Sequence, residues 1–255
     1  MIKITNKTNE EQIFKIINKN FSQLAPSYYS LVTHWFINAY KNFKGIDKYI
    51  ILIYLINKDF IYYRKNGLMV DYDTFYKDKT LEIPNINISD IARDLLIPKE
   101  NVRRKISELE EKGIIKRAGK KIFVERPGFI QAKANITLKD FSSLVSTFSE
   151  ILKDKKIIKE ALNTDQISNL IKENFSFCWY QFYKFLFMFS NRWKTDTKTQ
   201  DLETICVGLI VLINTVQNRS FKDKNLDRKK YLKEIQKPDH IGINAFSIAD
   251  ITGIP

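Results

Sequence analysis

The chain repeats itself. Residues 11–22, EQIFKIINKNFS, return as residues 165–176, DQISNLIKENFS, with six identities in twelve positions at an offset of 154. The aromatic stretches that follow correspond too, Tyr29 and Trp35 falling on Tyr183 and Phe189. An insertion of three between Trp193 and Asp201 moves the offset to 157, and Ile53 and Leu55-Ile56-Asn57 then match Ile210 and Leu212-Ile213-Asn214. The same offset carries residues 86–98, INISDIARDLLIP, onto residues 243–255, INAFSIADITGIP, with six of thirteen identical. One offset that joins two separate apolar segments fits a duplication. Whatever the first copy builds, the second is therefore expected to build as well.

In the first copy, the spacing of Ile13, Ile16, Ile17 and Phe21 predicts an amphipathic helix from Asn9 to Leu24, ended near Pro26. A second helix runs from Ser27 to about Phe43 and is broken at Gly45. A third, Asp47 to about Arg64, holds the run Ile50-Ile51-Leu52-Ile53-Tyr54-Leu55-Ile56, apolar on most sides and so expected to be buried. Residues 65–85 read as a loop with a turn at Asn66-Gly67, followed by a short strand around Leu81 to Ile88. Ser89 is the expected N-cap of a short helix carrying Ile91, Ala92 and Leu95. After a tight turn at Leu96-Ile97-Pro98, a second short helix runs from Pro98 to Lys112 and stops at Gly113. Val102, Ile106 and Leu109 form its buried stripe, and a turn of about 100° per residue puts Glu100, Arg104 and Ser107 opposite, with Arg103 beside them. Ile114 to Arg117 and Lys121 to Val124 read as two strands joined by a basic hairpin at Ala118-Gly119-Lys120.

Beyond Arg126-Pro127-Gly128, helices are expected over Leu138–Lys153 and Lys155–Leu162. The charged stretch Lys222 to Lys237 reads as a solvated loop or helix of the second copy. The chain as given stops at Pro255, the point at which the first copy begins its second short helix. A fragment of a longer protein, with a truncated second unit, is the expectation.

Composition narrows the functional classes. Among 255 residues, 42 Lys and Arg against 29 Asp and Glu give a net charge of +13, which favours a polyanionic partner. Cys178 and Cys206 sit in apolar helical runs and read as core residues. His34 and His240 lack neighbours at ligand spacing. Phe175–Phe189 and Ile205–Ile213 are too short or too interrupted for membrane spans, and the start MIKITNKTNEEQ has no signal-peptide character, so a cytoplasmic protein without a membrane partner is expected. No glycine-rich phosphate loop, metal-ligand cluster or nucleophile with a His partner is found. Neither an enzyme nor a cofactor is expected.

Taken together, the aliphatic helix, loop, short strand, Ser-Asp-Ile-Ala helix, turn, ENVRRKISELEEKGII helix and basic hairpin resemble the winged helix of the Crp/Fnr class of bacterial transcription regulators. The resemblance covers about residues 47–125 and, in part, 200–255. It implies a mainly α fold of tandem winged helix-turn-helix units with a small β-wing, each unit preceded by a helical buttress. Residues 1–126 would form the first unit, 127–162 connecting helices and 163–255 the second. By the same resemblance Lys99, Glu100 and Arg104 would touch base edges of double-stranded DNA, chemistry that suits Arg for guanine and Glu for cytosine. Ser89, Asn101, Arg103, Ser107, Lys116, Arg117, Lys120 and Lys121 would contact the DNA backbone. Pro98 and Pro255 depart from the Ser or Thr often found there, and no β-roll of a cyclic-nucleotide sensor precedes the motif. The expected function is a sequence-specific transcription regulator whose units pair within the chain or as a homodimer. A plasmid-type replication initiator and a winged-helix protein-docking adaptor are the alternatives.

Overall fold

A computed structural model describes residues 8–77, 80–84, 86–119, 121–125, 134–199, 201–218, 225–237 and 242–254. In chain order the elements are α1 (Glu10–Lys19), α2 (Phe21–Phe43), α3 (Ile46–Lys65), α4 (Tyr72–Lys77), β1 (Thr80–Ile83), α5 (Ile88–Leu95), α6 (Lys99–Glu111), β2 (Ile115–Ala118) and β3 (Lys121–Glu125). They are followed by α7 (Ala134–Asp154), α8 (Thr164–Glu173), α9 (Phe175–Thr197), α10 (Leu202–Asn218), α11 (Arg228–Ile235) and α12 (Ala245–Thr252). The fold is mainly helical, with one small antiparallel sheet ordered β1-β3-β2.

Twelve residues of α3 are buried, Ile50 to Ile56 without interruption. A helix with apolar groups on every side must be covered on every side. Its own copy supplies α2, α5, α6 and the sheet, and the other copy supplies α9, which lies along it. The reverse also holds: α10, the counterpart of α3, lies along α2, the counterpart of α9. Each copy thus completes the other's core, and one hydrophobic cluster runs through both, from Leu31 and Ile53 to Trp179 and Leu209.

The correspondence extends to single atoms. α1 and α8 are both ten residues long and open with the same capping box, Asn9 with Gln12 and Asn163 with Gln166. α2 and α9 are both 23 residues and end on left-handed lysines, Lys44 and Lys198. Near the start of α2, Ser22 N donates to Leu226 O at 3.1 Å while Leu226 N donates to Ser22 Oγ at 2.8 Å. Near the start of α9, Ser176 N donates to Val70 O and Val70 N to Ser176 Oγ, both at 2.9 Å. Each of these two-way bonds crosses from one copy to the other. Asp71 and Asp227 then cap α4 and α11, each accepting from an amide three residues on at 2.9 Å. Behind the caps, Phe75 packs on Phe175 and Tyr231 on Phe21, with ring centroids 5.2 and 5.5 Å apart. α5 and α12 match at an offset of 157, with Asn87 and Asn244 as N-caps and left-handed C-caps at Leu96 and Gly253.

Several expectations are corrected. Pro26 ends no helix: the break falls at Asn20, and Pro26 is the sixth residue of α2, where it withdraws a donor only from the Ser22 carbonyl. Residues 65–85 are more than a loop, since Asp71 starts α4 there, and the strand is Thr80–Ile83, not Leu81–Ile88. No helix follows at Lys155–Leu162. Lys156 takes φ +58° and the Ile157 amide returns to Leu152 O at 2.9 Å, closing α7, while Leu162 is pinned by Ser146 and Ser149 hydroxyls at 2.8 to 3.1 Å. The stretch Lys222 to Lys237 includes α11, and its first residues, up to Lys224, lie outside the described chain. Among the described residues no single helix is long and apolar enough to cross a membrane; α9 and α10 reach that length and apolarity only together, across a bend of 96°.

Two stability measurements test these contacts. Ser22→Ala or Ser176→Ala leaves a partly buried amide without its acceptor, and each is expected to lower unfolding free energy by about 1 to 2 kcal/mol in urea titrations. Leu96 holds φ +51° where its counterpart Gly253 holds +71°. Leu96→Gly is expected to raise stability by about 1 kcal/mol, because a side chain in the left-handed region costs roughly that much.

Candidate nucleic-acid interface

α5 and α6 are joined by the turn at Leu96-Ile97-Pro98, and the turn has a chemical cause. Leu96 turns left-handed, the Ile97 amide closes on Ala92 O at 3.1 Å, and Pro98 then starts α6 with its carbonyl accepting from Val102 N at 3.0 Å. Pro98 is the cap residue itself and α6 begins at Lys99, one residue later than the sequence suggests, ending at Glu111 rather than Lys112. With no side-chain cap, the amides of the first turn of α6 are left for an outside acceptor. Val102, Ile106 and Leu109 are fully buried, so the helix has one possible outward face.

That face carries Lys99, Glu100, Asn101, Arg103 and Arg104, all exposed, with Ser107 half-buried behind them. The hairpin β2–β3 stands beside it, β3 pairing Ile115 with Val124 on one side and Leu81 with Val124 on the other. Lys116 projects exposed from β2. Lys120 lies outside the described residues. Ser89 is not the cap of α5; Asn87 is, accepting from Ser89 N at 2.9 Å, which leaves Ser89 half-buried in the first turn.

The cations of this surface are largely partnered. Arg103 reaches Glu100 at 2.6 Å, Lys121 reaches Glu82 across the sheet at 2.6 Å, and Arg117 Nε reaches Glu110 at 2.7 Å. The Arg117 amide also donates to Glu110 at 3.0 Å, so Glu110 ties the β2–β3 hairpin to the end of α6. Exposed pairs of this kind are worth less than about 1 kcal/mol and exchange readily for a phosphate or base. Arg104 has only a 3.8 Å approach to Glu108, and Lys99 and Lys116 have no ion pair among the described residues.

Glu108 was missed in the sequence, and so were the residues that hold it. It receives Lys48 of α3 at 3.0 Å and Lys105 at 3.5 Å, besides Arg104. Burial alone would push its carboxyl up, but Lys48 and Lys105 together hold it below the ordinary glutamate value. Lys48 is buried, and a lysine inside an otherwise apolar helical run was the available sign that a carboxylate must meet it. From the second copy, Asn191 donates to Asp94 O at 2.8 Å and the buried Lys194 to Leu95 O at 3.2 Å, capping the end of α5. Burial pulls Lys194 below its ordinary value and pushes its 3.5 Å neighbour Asp47 up. Tyr54 of α3 donates to Asp94 at 2.7 Å. The outward helix is therefore fixed to the body through α3 and α9.

Other chemistry is thin. Among the described residues no group of three or more His, Cys, Asp or Glu could hold a metal ion. Burial pushes the Cys178 thiol up to about 11 and the Cys206 thiol up to about 12, against the thiolate a nucleophile requires. Comparison with protein-family models, curated proteins and solved structures finds no match for this chain.

Glu108 supplies a pH test. With the Lys48 side chain 7 % exposed and Glu108 31 %, Glu108→Ala is expected to cost about 2 kcal/mol at neutral pH, less than a fully buried pair because of that exposure. The folded value lies below 4.5, so this stability is present above 4.5 and is lost as pH falls through the lowered folded value. Wild type and variant should converge there in acid titrations of unfolding.

Proposed function

We propose that this chain is a sequence-specific duplex DNA-binding protein, built from two Crp/Fnr-like winged-helix units, that regulates transcription. The observation that carries the reading is the outward face of α6. Lys99, Asn101 and Arg104 stand exposed on a helix whose opposite stripe is wholly buried, with an uncapped first turn and a hairpin at its side. A helix of this kind fits the major groove of B-DNA, its first turn on a phosphate and Arg104 on guanine O6 and N7. Glu100 would release Arg103 to a phosphate and accept from a cytosine amino group. Ser89, Asn101, Ser107, Lys116, Arg117 and Lys121 would fix register without reading sequence.

The paired halves support the tandem reading. α12 repeats α5 with its cap and its left-handed turn, and the crossed packing of α3 and α10 relates the halves as two protomers of a dimer would be related. Such a chain has its partner unit built in, and a cytoplasmic site of action follows from DNA as the ligand. The same crossed pairing favours a second reading, a plasmid-type replication initiator. Repeated binding sites beside an origin would select it over an operator upstream of genes.

Selection from a random-sequence duplex pool is the direct test. Wild type is expected to enrich one motif, and Arg104→Ala to lose preference at one base pair, worth about 1 to 3 kcal/mol, while retaining general affinity. Equal binding of both proteins to every sequence would remove α6 as a reading helix, and absence of salt-dependent binding would favour a protein-docking role.

A further inference from the structure

The two copies place equivalent helix pairs at equivalent positions, and the sequence treats them differently. A groove lies between α1 and α11, and at the equivalent position in the other half α8 and α4 pack against each other, a second, counterpart groove position. In the first, Lys15 and Lys19 of α1 and Arg228 and Lys229 of α11 line the cleft together with Glu11 and Asp227, and Lys230 stands beside it; all five cations are exposed, Lys15 pairing with Glu11 at 2.6 Å and Lys230 lying 3.9 Å from Asp227. The corresponding residues of the second groove are Asn169, Glu173, Tyr72, Asp73 and Thr74. Five cations in one copy thus correspond to two acids, Glu173 and Asp73, and no cation at the same positions in the other.

Folding does not require that difference. Both grooves are anchored by the same serine pairing, aspartate cap and buried ring, so the backbone is satisfied equally in each. In α11 the charge runs against the helix: Arg228, Lys229 and Lys230 occupy the first turn, which carries no acid, at the end where the macrodipole disfavours cations. Lys233 adds a like charge within reach of Lys229 and Lys230. The apolar residues of α11 are turned inward, Tyr231 buried and Leu232 and Ile235 half-buried, so the helix has no apolar face to lay into a lipid surface.

The α6 surface also leaves a deficit. Residues 80–125 hold ten Lys and Arg against eight Asp and Glu, a small part of the net +13 of the chain. Affinity for DNA scales with the number of phosphates neutralised, and so small an excess beside α6 leaves most of the chain's positive charge elsewhere.

We propose that the groove between α1 and α11 is a second nucleic-acid surface, which holds a phosphate backbone without reading sequence. It rests on nucleic acid being the ligand but not on α6 being the reading helix. The cleft measures about 860 Å³, and the exposed Phe14 is part of its lining.

The test uses the full chain carrying Lys19→Gln, Arg228→Gln and Lys229→Gln together, with Lys77→Gln and Lys172→Gln in the equivalent groove as the control. All five positions are exposed, and unchanged thermal melting verifies the fold. Affinity for a mixed-sequence duplex is measured across a salt series. The triple variant is expected to lose about two to three from the slope of log affinity against log salt, with the control unchanged and the selected motif retained. An unchanged slope overturns the proposal, and so does equal loss in the control. Loss of binding to vesicles of anionic lipid or to a polyglutamate peptide, with the DNA slope intact, overturns it in favour of those partners. If Arg104→Ala leaves sequence preference untouched while the triple variant loses slope, the α6 reading fails and this one stands. Absence of all DNA binding removes both.

Discussion

Everything in this molecule depends on a helix that its own half cannot cover. α3 is apolar around nearly its whole circumference, and α10 repeats it. Within one copy, α2 covers one side of α3, and the short helices and sheet cover another. The remaining side is closed by α9 from the other copy, as α10 closes α2. Exposed, that side would cost roughly 1.5 to 3 kcal/mol for each large aliphatic group returned to water. The exchange makes the two copies one cooperative core. It also fixes where the serine pairs, the aspartate caps and the rings behind them fall.

The same exchange determines how α6 is held. Short helices have little stability of their own, so their orientation comes from contacts with the body. α5 is gripped at its C-terminal end by Tyr54 from α3 and by Asn191 and Lys194 from α9, and α6 by the Lys48–Glu108 pair. Two of these contacts place a buried lysine against a carboxylate or a carbonyl, an arrangement that tolerates little displacement. Charge and geometry together keep the outward face of α6 turned away from the core.

How much of this was legible in the sequence depended on the range of the interaction. α3, α5, α6 and the hairpin were readable because periodicity and turn residues are local, and Val102, Ile106 and Leu109 are buried as their spacing requires. The repeat was readable because identical residues need no structure to be matched. α4 was not, and α11 was left between loop and helix: a helix of six or eight residues shows little periodicity, and its burial rests on Phe75 or Tyr231 reaching a ring of the opposite copy. The outward residues of α6 were located correctly by angle. Their ion pairs were invisible for the opposite reason, since Glu110 meets Arg117 and Glu82 meets Lys121 only after the sheet has formed. Pro26 misled because proline was read as a stop, whereas its ring is compatible with the opening turns of a helix.

The serine pairings carry a last consequence. In a symmetric dimer of separate chains, the contacts of Ser22 and Ser176 would be one contact made twice, and assembly would weaken on dilution. Here the two are different residues of a single polypeptide, joined through α7, so the association is a first-order event. Its strength is independent of protein concentration. Substitution on one side is never imposed on the other. A covalently paired chain can therefore drift away from symmetry one residue at a time while its core continues to require both halves.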